Sequence, residues 1–318
     1  MPSSPPQGSP RPLRIGIFTD AYRPQINGVV TSVASLAQGL RDLGHEVTVV
    51  APYHPQQVDE PGVIRLRSTP YPVQREMRVS LPPSPQKWLA FHRAHFDVVH
   101  NHGVNLAMVG WLVSRTSNVP AVLTYHTRMR DYIHYYPWYP MLAWLISEAR
   151  WYSRGTRLGN RLSHSLKRRL DQNYIAIGAR IDLWVTGLHD RIIAPAEPIA
   201  AELEEMGVRH PVRVVHNGID MARLVRAEPN PYPRLGLQPQ HRILVTVSRL
   251  GKEKSVDALL QRFALVHARN ANARLVVLGD GPERANLEAL AQQLGLGQAV
   301  IFTGYVAPDE VSRYYRNA

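Results

Sequence analysis

Arg249 and Lys254 stand in the run Ile243–Ser255, ILVTVSRLGKEKS, and together they have the chemistry to neutralise a di-anion. An apolar strand, Ile243–Val247, is expected to feed Ser248-Arg249-Leu250, and Glu253 and Lys254 then open a helix from Ser255 to about His267. That order delivers both cations to the carboxyl end of a buried parallel strand, the edge at which open α/β sheets bind ligands. Two fixed cations beside a helix N-terminus suit a nucleotide diphosphate; a solvated basic turn is the alternative reading. His126, in Thr124-Tyr125-His126-Thr127, follows the strand Ala121–Leu123, where a neutral imidazole can donate to a sugar hydroxyl or hold an acceptor; a structural histidine is the alternative. Gly28, at the end of the loop Asp20–Val30 (DAYRPQINGVV), sits where a helix begins, and a glycine there lets backbone amides approach a phosphate. Asp20, at the head of the same loop, is a candidate contact to the acceptor or the sugar.

Other chemistries fit less well. G-x-G-x-x-G and the P-loop pattern G-x-x-x-x-G-K-[ST] are both absent, and so is any D-x-D clamp for a metal–nucleotide complex. Gly279-Asp280-Gly281 precedes Pro282 and reads as a helix start after a strand. His92, His95, His100 and His102 lack a supporting carboxylate pattern, so no metal is expected.

The elements that must position these groups alternate. Strands are expected at Leu13–Thr19, Glu46–Ala51, Val63–Leu66, Asp97–His100, Ala121–Thr124, Ile192–Pro195 and Val212–Val215. A second series follows the Pro-rich stretch Glu228–Pro239: Ile243–Val247, Arg274–Leu278 and Val300–Thr303, with helices between. Strands alternating with helices at this spacing mean α/β, a parallel doubly wound sheet in each of two domains. The division expected is a disordered tail over 1–12, a first Rossmann-like domain over 13–216, a linker over 217–240 and a second Rossmann-like domain over 241–318.

Composition sets the remaining bounds. The 318 residues contain no cysteine, which removes disulfides and thiolate metal sites. No run of about 18 apolar residues spans a membrane. The formal charge of +12 asks for an anionic partner, and no nucleic-acid recognition motif is evident. No acid occurs between Ala149 and Leu170, and at 100° per residue Arg150, Arg154, Arg157, Arg161 and Arg168 share one stripe of about 60° beside Trp151. A basic amphipathic helix with interfacial tryptophan is expected to lie on an anionic membrane surface; a core-packed helix with a solvated arginine face is the alternative.

The segments RIGIFTDAYRPQINGVVTSV, GHEVTVVAP, FDVVHNHG, TYHT, VHNGID, VTVSRLGKEKS, LVVLGDGPE and FTGYV occur in the order found in glycosyltransferases of family GT4, which the protein resembles over nearly its whole length. That resemblance implies the GT-B fold, two facing Rossmann-like domains with the first on the acceptor side and the second on the nucleotide-sugar side, and retaining transfer from a nucleotide-sugar. Gly28, Arg249 and Lys254 would hold the diphosphate, His126 would face the reacting sugar, Asn217-Gly218 would lie at the interdomain crossing, and neither metal nor cofactor would be required. The loop TDAYRPQINGV and the segment TYHTRMRDYIHYY look most like diacylglycerol glucosyltransferases. The expectation is therefore a cytoplasmic enzyme, peripheral on the inner face of the cell membrane, moving hexose from UDP-hexose to a lipid. The alternatives are a soluble-acceptor transferase of the same family and an inactive fragment. The second follows from a departure: the family's two glutamates after FTGYV, separated by seven residues, have no counterpart before Ala318. Glu197 and Glu205 have that spacing but fall on an acidic helix expected to face solvent. The second domain is therefore expected to be incomplete, and the sequence to be truncated at its carboxyl end.

Overall fold

The computed structural model describes residues 11–71, 77–126, 172–173, 175–219, 221 and 229–318. The protein divides into two compact units, Met1–Gly218 and Ile219–Ala318.

The first unit runs β1 (Arg14–Thr19), α1 (Gly28–Asp42), β2 (Glu46–Pro52), β3 (Val63–Leu66), β4 (Ser68–Pro70), β5 (Arg78–Ser80), α2 (Pro85–Arg93), β6 (Val98–His102), α3 (Asn105–Ser117) and β7 (Ala121–Thr124). A helix α4 over 175–187 follows, then β8 (Arg191–Ala194), α5 (Glu197–Glu205) and β9 (Val212–Val214). Seven strands form one sheet in the order β3-β2-β1-β6-β7-β8-β9, and every neighbouring pair is parallel. β4 and β5 make a separate antiparallel pair.

β1 shows why its sequence is a continuous apolar run and not an alternation. Ile15 and Ile17 pack with Val33, Ala37 and Val49, while Phe18 packs with Phe91, Phe96, Val99 and Leu106. Both faces are covered, as parallel strands require. At Gly16 a Cβ would stand 3.0 Å from the Phe96 ring, tighter than ordinary contact. The backbone steps outward through β2 and β3 and then returns to β6 on the other side of β1. The carboxyl ends of β1 and β6 therefore meet at the point where strand order reverses, the usual ligand position in such sheets.

The second unit runs β10 (Arg242–Val247), α6 (Val256–Arg269), β11 (Ala273–Leu278), α7 (Arg284–Gln293), β12 (Val300–Gly304) and α8 (Val311–Asn317), with a parallel sheet in the order β10-β11-β12. Leu250, Leu260, Phe263, Leu275, Val277 and Leu287 fill one face of it.

Four expectations change. β10 is not buried: it is an edge strand in its three-stranded sheet, and its residues are half-buried or exposed. The helix does not open at Glu253, because Lys252–Lys254 form a 3₁₀ turn and Ser255 adopts a left-handed conformation (φ 51°, ψ 37°) before α6 starts at Val256. β6 extends to His102, two residues beyond the expected end, which takes His100, Asn101 and His102 into the sheet as buried residues. Part of the expected linker is core: Tyr232 and Leu237 are buried with Val276 and Leu278, and the Tyr232 hydroxyl donates to the Tyr314 carbonyl. Glu197 and Glu205 are exposed on α5.

Candidate functional site

At the switch point of the first unit, Asp20 leaves β1 and Gly103 leaves β6. The Asp20 carboxylate accepts from the backbone N–H groups of Val104 (2.6 Å), Asn105 (3.0 Å) and Leu106 (2.7 Å). It therefore supplies the N-terminal cap of α3, whose own cap residue makes no such bond. Burial pushes this carboxyl up from its ordinary range, and the three amide donors pull it back. Gly103 has φ +119°, and a Cβ there would overlap the Asp20 carboxylate. The pair Asp20/Gly103 is thus one device for crossing from β1 to α3. The spacing of these residues along the sequence carries no trace of it.

Gly28 is the first residue of α1. Asn27 caps that helix through Oδ1, which accepts from the Val30 N–H at 2.9 Å. A Cβ at Gly28 would meet no atom within 4 Å, so a side chain would fit at this position. The aligned first-turn amides of α1 favour an anion at its N-terminus. Asn217 accepts a hydrogen bond from the Ser32 hydroxyl in the second turn of α1, at 2.9 Å.

His126 has a partner that its sequence position does not suggest. Its Nε2 lies 2.9 Å from Nδ1 of His102, and the two rings stack with centroids 5.1 Å apart. His102 in turn lies against His100, centroids 4.2 Å apart, and His100 Nε2 is 2.7 Å from the Thr124 hydroxyl. Desolvation holds all three imidazoles below the ordinary histidine value: His126 at about 4, His100 at about 3, and His102 well below it. All three are therefore neutral near pH 7. Behind them, His189 Nδ1 donates to the Val185 carbonyl, so its Nε2 accepts from Asn101 Nδ2 at 2.8 Å. A small cavity beside His126 is lined by Gly103, Val104, Thr124 and Asp182. Among the described residues no three His, Asp or Glu side chains are grouped to hold a metal ion.

In the second unit, Arg249 and Lys254 belong to the loop after β10. Arg249 is not alone: its guanidinium donates to Glu253 Oε1 at 3.1 Å, with the Arg249 side chain 40% exposed. The loop rests on Gly279-Asp280-Gly281. Leu250 N–H donates to the Asp280 carbonyl, Glu283 N–H to the Leu250 carbonyl, and Ser248 N–H to the Leu278 carbonyl. A Cβ on Gly279 would overlap the Ser248 backbone, and one on Gly281 would overlap that of Leu250. The two glycines thus bring backbone against backbone and set the height of the Arg249 loop. Asp280 accepts from the Gly281 N–H and from Arg284, and these bonds hold its carboxyl below the usual range.

The structure thus places Asp20 and Gly28 at the two ends of one loop, His126 against His102, and Arg249 with Lys254 on one turn. Arg150, Trp151, Arg154, Arg157, Arg161 and Arg168 lie outside the described residues. Among the described residues no helix is long and apolar enough to cross a membrane.

Two α/β units, each with loops gathered at the carboxyl edge of a parallel sheet, define a GT-B fold. The fold matches Anabaena HepE in complex with UDP and glucose at TM-score 0.62 and 15% identity, over 96% of this protein and 72% of that one. It also matches sucrose-phosphate synthase from Thermosynechococcus elongatus at TM-score 0.64 and 17% identity, over 96% of this protein and 73% of that one. Residues 26–189 and 160–223 match the family described as Glycosyltransferase Family 4, and residues 232–318 match Glycosyl transferases group 1. The protein belongs to glycosyltransferase family 4. It is 29% identical to the alpha-monoglucosyldiacylglycerol synthase of Streptococcus pneumoniae, over 96% of its own length and 64% of that protein. It is 26% identical to the enzyme of the same name from Acholeplasma laidlawii, over 96% of its own length and 73% of that protein.

Proposed function

We propose that the protein is a retaining hexosyltransferase that moves hexose from a nucleotide-hexose, UDP-glucose in the first instance, to the hydroxyl of a membrane lipid such as diacylglycerol. The observation that carries this reading is the likeness, along 96% of the sequence, to two proteins named alpha-monoglucosyldiacylglycerol synthase. The choice of UDP rests on solved neighbours bound to UDP.

In this reading each group has a physical task. Arg249 and Lys254 neutralise the diphosphate as it leaves, and the α1 N-terminus at Gly28 adds its aligned amides. Lys252 and Lys254 outnumber Glu253 on the Arg249 loop, so the turn keeps a positive balance even with Arg249 paired. His126, neutral at working pH, offers one ring nitrogen to the reacting sugar or the acceptor hydroxyl. Asp20 acts on the sugar side through the α3 turn that it holds. The arginines from Arg150 to Arg168 hold the protein on anionic lipid, at the inner face of the cell membrane. The diphosphate is neutralised by side chains and helix amides, with no metal required.

The test is transfer of radiolabelled glucose from UDP-glucose to diacylglycerol in anionic vesicles, with GDP-mannose as the competing sugar donor. Labelled lipid that forms only with UDP-glucose is the expected outcome. Transfer to water-soluble acceptors alone, with no co-flotation of protein and vesicles, would replace the lipid reading with the soluble-acceptor one.

A further inference from the structure

We infer that His102 is a positioning residue that fixes the tautomer of His126, so that His126 presents a protonated Nδ1, a hydrogen-bond donor, to whatever oxygen it meets. The inference deepens the function proposed above and rests on it for the identity of that oxygen. The tautomer assignment itself rests on geometry.

His102 Nδ1 and His126 Nε2 are 2.9 Å apart, so one of the two nitrogens carries the hydrogen between them. The choice is settled at the far side of His102. Its Nε2 is buried and has no hydrogen-bond partner among the described residues. Burial holds both rings neutral near pH 7, so each has a single N–H to place. If His102 placed its hydrogen on Nε2, that donor would be left buried without an acceptor. If it places the hydrogen on Nδ1, only a lone pair is left unpaired, and orphaned acceptors are tolerated better than orphaned N–H groups. His102 Nδ1 therefore donates, and His126 Nε2 accepts. The one hydrogen of His126 must then sit on Nδ1, at the opposite side of the ring. His126 as a residue is half-buried, and Nδ1 is the ring nitrogen left over for a ligand.

The rest of the ladder holds His102 in this role. β6 and β7 place Asn101 opposite Leu123 and His102 opposite Thr124, and the His100 ring packs against His102 at 4.2 Å. His102 is 1% exposed, so bulk solvent does not reach it.

The experiment is ¹⁵N spectroscopy of the whole protein labelled at the histidine rings, at pH 7, with His126 and His102 assigned by the signals lost in His126→Asn and His102→Asn. The expected result is a protonated-type Nδ1 and a bare-type Nε2 for His126. A bare Nδ1 with a protonated Nε2 on His126 overturns the inference. In His102→Asn the side-chain amide can donate from the position of Nδ1, so the His126 tautomer should persist and kcat for sugar transfer should recover to within about threefold. In His102→Leu the fixed tautomer should be lost, with kcat down about tenfold and KM for the nucleotide-sugar unchanged. Equal losses in both variants, with the tautomer unmoved, would show that His102 only packs. If His102→Leu does not fold, the wild-type spectrum and the Asn variant decide. Absence of sugar transfer in the wild type would defeat the proposed function and leave the tautomer result standing.

Discussion

The two carboxyl edges hold their polar groups in opposite ways. At the edge of the seven-stranded sheet the groups are sunk into the protein and pair with one another, all but a few atoms such as His102 Nε2: Asp20 caps α3, and His100, His102 and His126 form a neutral stack. At the edge of the three-stranded sheet the cations are exposed on a turn held by backbone contacts to two glycines. The contrast follows from the cost of burial. Imidazoles can be buried because they can shed their charge, whereas arginine cannot and lysine does so only at a large shift. In the function proposed above, the edge that would meet a diphosphate keeps its charges wet, while the edge that would aim a hydrogen bond is built dry.

The comparison breaks most visibly at the glycines. Gly279→Ala forces a Cβ into the Ser248 backbone at φ +129° and should cost about 3 kcal/mol or more of second-unit stability, read as a lower urea midpoint, together with loss of nucleotide binding. Acid should act on the other unit. The folded-state values of His126 and His100, about 4 and about 3, lie below the ordinary value near 6.5, so the folded state binds fewer protons than the unfolded state between them. That contribution is complete above about pH 6.5 and is lost as pH falls toward 4. Unfolding free energy should drop by roughly 3 kcal/mol for each of these two imidazoles over that window in denaturant titrations at stepped pH. Among the described residues the second unit buries no histidine, so its transition should move much less.

Two smaller effects sharpen the exposed edge. Arg249→Ala and Lys254→Ala should each weaken UDP binding about tenfold to a hundredfold by calorimetry, with thermal stability nearly unchanged. Glu253→Gln removes the competitor for Arg249 and should tighten UDP about twofold to threefold, an effect that shrinks in high salt. An unchanged affinity would mean that the Arg249–Glu253 pair does not stand in the way of the anion.

Much of the scaffold is legible in the sequence because parallel strands covered on both faces are written as apolar runs. Glu46–Pro52 and Ala121–Thr124 fall where hydrophobicity puts them. β6 reads short because His100, Asn101 and His102 are polar, and only their hydrogen bonds to neighbouring elements make a polar strand end stable inside a sheet. The Ser255 break is hidden for a local reason: nothing in KEKS demands a left-handed residue, and the turn follows Leu250, whose backbone is bonded to Asp280 and Glu283. Gly279 and Gly281 read as a helix start, and their packing role emerges only when the neighbouring strand end is in place.

The sequence by itself determined the α/β alternation, the order of the family segments and the residue types at the two edges, because these depend on period and chemistry that are local along the backbone. The tertiary structure decided which of those residues face one another. His102 reaches His126 across 24 positions, Asp20 reaches Leu106 across 86, and Leu250, beside Arg249, is bonded to Asp280 of the glycine loop. Contacts of that kind depend on sheet order and strand register, and a polar atom buried by register must find its partner wherever the fold has put one.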